Sequence, residues 1–139
     1  MKVAVVYWSG TGNTEGMAEA LAAAINESGA VAELLTCDKF NAGSVANYDA
    51  FALGCPSMGD EVLEESEFQP MYDAVEGALS GKKVALFGSY GWGDGQWMRD
   101  WAEQAKNAGI NVIAELIANE APDDEAISAL KALGAQLAG

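Results

Sequence analysis

Three separated segments hold the side chains best suited to binding a small molecule, and each follows an apolar run. The first, YWSGTGNTE at residues 7–15, is rich in hydroxyl and amide groups, yet it contains no lysine or arginine. Between a strand and a helix, such a loop offers free backbone N–H groups and the positive end of the helix dipole, which together bind an anion without a cation. Its candidate anion-binding residues are Ser9, Gly10, Thr11, Gly12, Asn13 and Thr14.

The composition of this first segment limits which anion it could bind. A triphosphate with Mg²⁺ calls for a lysine and a carboxylate, and the segment matches neither the dinucleotide-binding nor the P-loop glycine spacing. One terminal phosphate, surrounded by hydroxyl groups and backbone amides, fits these residues better. The alternative interpretation is an ordinary polar turn with a threonine at the helix N-cap.

The second and third segments could supply apolar walls for a flat ring. In MGDEVLEESEFQP, at residues 58–70, Met58 offers a polarizable side chain. In LFGSYGWGDGQWM, at residues 86–98, Trp92 stands between two glycines that allow the backbone to approach a ligand closely. On the residues alone, Met58 could equally be loop packing and Trp92 an exposed aromatic residue of a turn.

The charge of the chain excludes several classes of partner. Its 139 residues carry 21 acidic and seven basic side chains, a formal net charge of −14, which argues against nucleic acid and an anionic membrane surface. A protein with a basic surface is the natural complement. The chain has no histidine, the most common general base and a frequent metal ligand. The length of 139 residues predicts a single domain, residues 1–139. Because the apolar stretches are short and nothing resembles a signal peptide, we expect the protein to be cytoplasmic. We also expect it to be a monomer.

Five apolar runs alternate with helical patterns along the chain. The predicted strands are 3–7, 31–35, 50–55, 83–88 and 111–118, and the predicted helices are 14–28, 70–79, 96–108 and one from 122. This alternation predicts an α/β fold, a doubly wound parallel sheet with helices on both faces. Ligands on such sheets bind beyond the C-terminal ends of the strands, and the three segments follow the first, third and fourth strands.

In this order the three segments resemble those of the flavodoxins, in particular the short-chain clostridial type, and the resemblance covers essentially the whole chain. It implies the flavodoxin-like strand order 2-1-3-4-5 and non-covalently bound FMN, whose single phosphate suits the first segment. Met58 and Trp92 would then lie against the two faces of the flavin ring. The further residues that the resemblance implies are Ser57, Gly59, Asp60, Glu61, Ser89, Tyr90, Gly91, Gly93 and Asn119.

The resemblance gives particular roles to several of these residues. Main chain at 89–91 meets the pyrimidine edge of the ring, and Glu61 is placed to accept a hydrogen bond from ring N3–H. The Gly59–Asp60 peptide turns its carbonyl toward N5–H when the flavin takes its first electron, and glycine suits that movement because positive φ costs it little. Ser57 is a weaker phosphate ligand beside Pro56, and Asn119 is more typical of a strand-end turn.

These expectations describe a low-potential one-electron carrier that shuttles electrons between redox enzymes. An acidic, solvated rim near the ring would repel the negative charge of the fully reduced flavin and would steer redox partners with basic docking surfaces. The rim residues are Asp60, Glu61, Glu64 and Glu65.

Two other functions share this fold class. An FMN-dependent enzyme that uses a nicotinamide would need room for a second substrate, which Trp92 over one ring face would restrict. A phosphoacceptor receiver domain would need paired acids after the first strand and a lysine after the fifth, and this sequence has neither.

Overall fold

The computed structural model describes residues 1–59 and 61–139 and contains a five-stranded parallel sheet. Its strands are β1 (Lys2–Tyr7), β2 (Val31–Thr36), β3 (Ala50–Gly54), β4 (Lys83–Tyr90) and β5 (Asn111–Asn119). They lie in the order β2-β1-β3-β4-β5, each parallel to its neighbour. The predicted fold class and strand order are therefore confirmed, and the strand order reverses between β1 and β3.

Helices cover both faces of this sheet. In the described residues they are α1 (Asn13–Glu27), α2 (Phe68–Val75), α3 (Gln96–Asn107) and α4 (Asp124–Ala138). One core, around Met17 and Leu130, packs α1 and α4 against one face. A second core, around Phe68 and Trp101, packs α2 and α3 against the other. Because both faces are covered, β1, β3 and β4 are buried along almost their whole length. None of the described helices is both long and apolar enough to cross a membrane.

The end of β4 differs from the prediction in a way that matters for the site. The sequence predicts a loop from Ser89, but β4 continues through Tyr90 because these residues pair with Ala118 and Asn119 of β5. The β3 strand ends one residue earlier than predicted, at Gly54. The ladder to β5 therefore holds two residues that were expected to lie in a loop.

The other boundaries differ by small amounts. The helix predicted at 70–79 forms as α2, which begins two residues earlier, followed by a 3₁₀ helix at Glu76–Leu79. The segment after β2, predicted as a loop with one helical turn, contains two 3₁₀ helices, Cys37–Lys39 and Ala42–Asn47.

We expect Cys37 and Cys55 to remain free thiols. They follow β2 and β3, with β1 between those strands, and two strand spacings of about 4.7–4.9 Å exceed the roughly 7 Å Cα separation that a disulfide allows. Both thiols are buried, and burial raises the pKa of Cys37 to about 11 and raises that of Cys55 as well. A thiol reagent should therefore find two groups in the unfolded, unreduced protein and react slowly with the folded one. Finding no thiol after unfolding would contradict this prediction.

Candidate functional site

A cavity of about 300 Å³ opens at the C-terminal ends of β1, β3 and β4, where the strand order reverses. This is the usual position for a ligand on a doubly wound sheet. Its walls come from the loop after β1 with the start of α1, from the loop after β3, from the end of β4 with the residue after it, and from the residue after β5. The lining residues are Trp8, Gly10, Thr11, Asn13, Pro56, Ser57, Met58, Ser89, Tyr90, Gly91 and Glu120.

The loop after β1 turns sharply into α1 through Gly12. Gly12 has a φ of +95°, its N–H donates to the Ser9 hydroxyl at 3.1 Å, and its carbonyl accepts the N–H of Gly16 at 2.9 Å. Because the N-cap residue is a glycine, it places no capping side chain on the first amides of α1. Helix N-termini of this kind bind anions, so the loop has the geometry of an anion site.

Thr14 lies beneath this loop, outside the cavity lining. Its side chain is 1% exposed, and its hydroxyl shares a hydrogen bond of 3.0 Å with the hydroxyl of Ser89. It also accepts the Ser89 N–H at 3.4 Å. Since Ser89 lines the cavity, Thr14 joins the anion-binding loop to the end of β4.

The loop after β3 makes a tight turn, from Met58 to Val62. The Met58 N–H donates to the Val62 carbonyl at 2.9 Å, and the Val62 N–H donates to the Met58 carbonyl at 3.0 Å. Within this Met58–Val62 turn, Gly59 has a φ of +46°, and a Cβ on it would meet no atom within 4 Å. A side chain would have room at this position, so it is the positive φ of the backbone that favours glycine there. Asp60 lies outside the described residues, so the movement of the Gly59–Asp60 peptide stays a prediction.

Glu61 connects the Met58–Val62 turn to the loop after β4. Its carboxylate accepts the N–H of Gln96, the first residue of α3, at 3.2 Å. The same carboxylate lies against Gly93, where a side chain would overlap it. Glu61 is therefore a cap for α3, whose own N-cap residue, Gly95, offers no side chain. Its predicted bond to ring N3–H stays a prediction.

The end of β4 and the loop after it carry one anchored and one exposed aromatic side chain. Trp92 is 63% exposed and lies beside the cavity, outside its lining. Tyr90 lines the cavity and packs against Trp97 with 5.6 Å between ring centroids. The Trp97 indole N–H donates to the carbonyl of Cys55 at 3.2 Å. This wall is thus fixed to β3, whereas the Trp92 ring has solvent around it.

Apart from Asp60, which lies outside the described residues, the predicted site residues fall into two groups. Those that line the cavity are Gly10, Thr11, Asn13, Ser57, Met58, Ser89, Tyr90 and Gly91. Those outside its lining are Ser9, Gly12, Thr14, Gly59, Glu61, Trp92, Gly93 and Asn119. Asn119 donates its side-chain amide to the carbonyl of Tyr90 at 3.4 Å, which suits a residue at the end of a strand.

Three lining residues were not selected from the sequence. Trp8 directly follows β1, and its N–H donates to the carbonyl of Gly54 at 3.0 Å; its position one residue beyond a buried strand could have identified it. Glu120 follows β5 with a φ of +56°, and its N–H donates to the carbonyl of Tyr90 at 2.8 Å. No pattern in the sequence marks that turn. Pro56 lines the wall as well, although it has no N–H to donate.

Glu64 departs from the solvated rim that the sequence predicts. Its side chain is buried, with 6% exposure, and its carboxylate accepts the N–H groups of Ser66, Glu67 and Phe68 at 2.9, 2.7 and 2.8 Å. Burial by itself raises the pKa of Glu64, but these hydrogen bonds outweigh it and lower the pKa below its ordinary value. Glu65 beside it is exposed. Within the acidic run, Glu64 is therefore a buried residue that caps α2, whereas Glu65 lies on the surface.

These features define a doubly wound α/β protein whose ligand cavity has two unlike ends. At one end, a helix N-terminus and hydroxyl groups suit a phosphate; at the other, Met58 and Tyr90 suit a flat apolar ring. Among the described residues, no lysine or arginine lines the cavity, so one phosphate monoester fits better than a polyphosphate. The donor set fits a flavin mononucleotide.

Comparisons with known proteins agree with this class. The family model described as Flavodoxin matches residues 5–132. The chain is 52% identical over 121 residues to the flavodoxin of Clostridium beijerinckii, a match that covers 86% of this chain and 88% of that protein. It is 48% identical over 122 residues to the Megasphaera elsdenii flavodoxin, with 88% and 89% covered. The solution structure of the two-electron-reduced M. elsdenii flavodoxin matches with a TM-score of 0.90 and 44% identity over 96% of this chain and 98% of that one.

The chain therefore belongs to the flavodoxin family. Flavodoxins are electron-transfer proteins rather than enzymes, and they bind FMN. The predicted family, cofactor and electron-transfer function are thus confirmed.

Proposed function

We propose that this flavodoxin carries single electrons at low potential between redox enzymes, with one FMN held non-covalently in the cavity at the ends of β1, β3 and β4. The observation that supports this best is the pairing of two unlike ends in one cavity. The uncapped N-terminus of α1 stands at one end, and the Met58–Val62 turn stands at the other.

At the phosphate end the chain supplies neutral donors only. The first amides of α1, the Thr11 hydroxyl and the Asn13 amide surround the phosphate, and the helix dipole provides the attraction. Ser9 and Gly12 shape the loop through their hydrogen bond, and Thr14 holds it against β4.

At the ring end the chain supplies walls and hydrogen-bond acceptors. FMN, when bound, supplies one-electron redox chemistry at its ring. Met58 and Trp92 cover the two faces and exclude water, and Glu61 accepts the N3–H. The Gly59 carbonyl would be available to accept the ring N5–H, and this hydrogen bond would contribute about 0.5–1.5 kcal/mol and so favour the first reduction step.

Negative charge around the ring disfavours the second step. Glu120 lines the cavity, Glu61 lies at the edge of the Met58–Val62 turn, and the chain carries a formal net charge of −14. In a partly desolvated site, repulsion between like charges is stronger than in bulk water. These charges would therefore lower the potential of the second reduction step of a bound flavin relative to the first.

The same acidic surface supports docking to redox proteins with basic surfaces. Such attraction raises association rates and is screened over about 8 Å at physiological ionic strength, which gives fast and weak encounters. We propose that the protein acts as a monomer, and the cytoplasm is its proposed location.

Stepwise anaerobic reduction followed by visible absorbance tests this proposal. We expect one acid-releasable FMN per chain and two separate reduction stages, the second at the lower potential. Recovery of FAD, or a single two-electron stage with no separation of potentials, would contradict it.

A further inference from the structure

Glu64 connects the end of β3 to the start of α2. Its carboxylate holds the amides of residues 66–68, and the N-cap residue of α2, Glu67, provides no cap of its own. The backbone of Glu64 is held as well, because its N–H donates to the Cys55 sulfur at 3.3 Å and its carbonyl accepts the N–H of Gln69 at 2.8 Å. Every polar group of this buried residue therefore has a partner.

Glu64 also lies two residues beyond the turn that faces the cavity. The entering limb of the Met58–Val62 turn is fixed by the Ser57 N–H, which donates to the carbonyl of Ser89 at 3.0 Å. The returning limb is fixed by the hydrogen bonds between Met58 and Val62, and next by Leu63, which is 6% exposed. Among the described residues, Glu61 ties this limb to the first amide of α3, and the hydrogen bonds of Glu64 tie it to the start of α2.

We propose that Glu64 is a positioning residue for the flavin site: by holding the amides at the start of α2, it fixes the returning limb of the Met58–Val62 turn and so holds Met58 at the cavity. This inference rests on the proposed placement of FMN in that cavity. It assigns to Glu64 a role separate from charge repulsion, because its carboxylate is bound by three backbone amides.

The charges around Glu64 agree with this role. The titratable groups that face it are Cys37 after β2 and Cys55 after β3. Both thiols are neutral at pH 7 because burial raises their pKa, so backbone amides supply the stabilisation of the carboxylate. Since these bonds lower its pKa, the cap is complete above the ordinary value of 4.5 and is lost as pH falls through the lower value in the folded protein.

Glu64→Gln at pH 7, compared with Glu65→Gln, tests the proposal. Both variants remove one negative charge from adjacent residues, but only at position 64 does the new NH₂ group face a backbone N–H. Amide hydrogen exchange without FMN is measured at residues 66–68 and at Met58 and Val62. We expect exchange in Glu64→Gln to become about tenfold faster at both places, and the Kd for FMN to rise about three- to tenfold. Glu65→Gln should change neither by more than about twofold.

Two results would overturn the proposal. If exchange becomes faster at 66–68 only, and Met58, Val62 and the Kd match those of Glu65→Gln, then Glu64 caps α2 without positioning the turn. If both variants raise the Kd equally, charge acts through space and geometry is not involved. A wild-type protein that fails to bind FMN would contradict the proposed function instead, and exchange in the FMN-free protein would still report on the turn.

A second measurement applies if Glu64→Gln does not fold. The amide resonances of the wild-type protein are followed by NMR from pH 7 downward. The proposal requires Met58 and Val62 to shift with the same midpoint as residues 66–68. Different midpoints would overturn it.

Discussion

Gly88→Ala should lower the free energy of unfolding by about 3 kcal/mol, at the upper end of the cost of overpacking a core. Gly88 lies in β4 opposite the end of β3, and a Cβ there would overlap the carbonyl oxygen of Cys55 and come within 3.2 Å of the Trp97 ring. That carbonyl also accepts the indole N–H of Trp97. The new methyl group must therefore separate β3 from β4 or displace Trp97, and either movement disturbs the floor of the cavity.

Gly77→Ala is the matched control for this prediction. Gly77 lies in the 3₁₀ helix after α2, and a Cβ on it would meet no atom within 4 Å. Its replacement should leave stability nearly unchanged or raise it by about 0.4–1 kcal/mol. Urea unfolding of both variants measures the difference, and near-UV circular dichroism should change for Gly88→Ala alone. Equal midpoints and equal m-values for the two variants would contradict the prediction.

The fold was predictable because its signals are local and repeated. Continuous apolar runs such as Val3–Tyr7 indicate strands buried on both faces, and their alternation with helical patterns leaves few topologies to consider. The order of the strands came from the resemblance, since periodicity alone does not distinguish which strands are neighbours. The extension of β4 to Tyr90 escaped prediction because it depends on the partner strand β5.

The site was predictable where a residue follows its strand directly and less so where long-range packing decides. Gly10, Thr11 and Met58 line the cavity as expected. Glu64 sits in a run of acids, a pattern typical of a solvated face, and its burial is decided by the amides at the start of α2. Glu120 reaches the cavity through a turn at positive φ, a conformation that glutamate seldom adopts and that its neighbours do not signal.

Trp92→Ala should raise the Kd for oxidised FMN about 10- to 100-fold, because stacking on an aromatic side chain contributes about 1–3 kcal/mol per ring. The structure adds a second expectation. Since Trp92 is 63% exposed and outside the cavity lining, its removal leaves no hole in the core and should change the stability of the FMN-free protein by no more than about 0.5 kcal/mol. A large loss of affinity with no loss of stability would show that Trp92 contributes to the free energy of FMN binding and not to the stability of the FMN-free protein.

Isothermal titration of FMN, with thermal unfolding of the FMN-free forms, separates the two quantities. Val31→Ala is the control, because Val31 is 59% exposed on β2, at the far edge of the sheet, and its loss should affect neither quantity.

Trp92→Phe should recover much of the affinity, since a smaller ring can still stack. Bound flavin should also fluoresce more strongly in Trp92→Ala, because the indole that quenches it is gone. If Trp92→Ala binds FMN as tightly as Val31→Ala does and quenches it equally, Trp92 does not cover the ring, and Tyr90 or Trp8, which line the cavity, would be the aromatic wall instead.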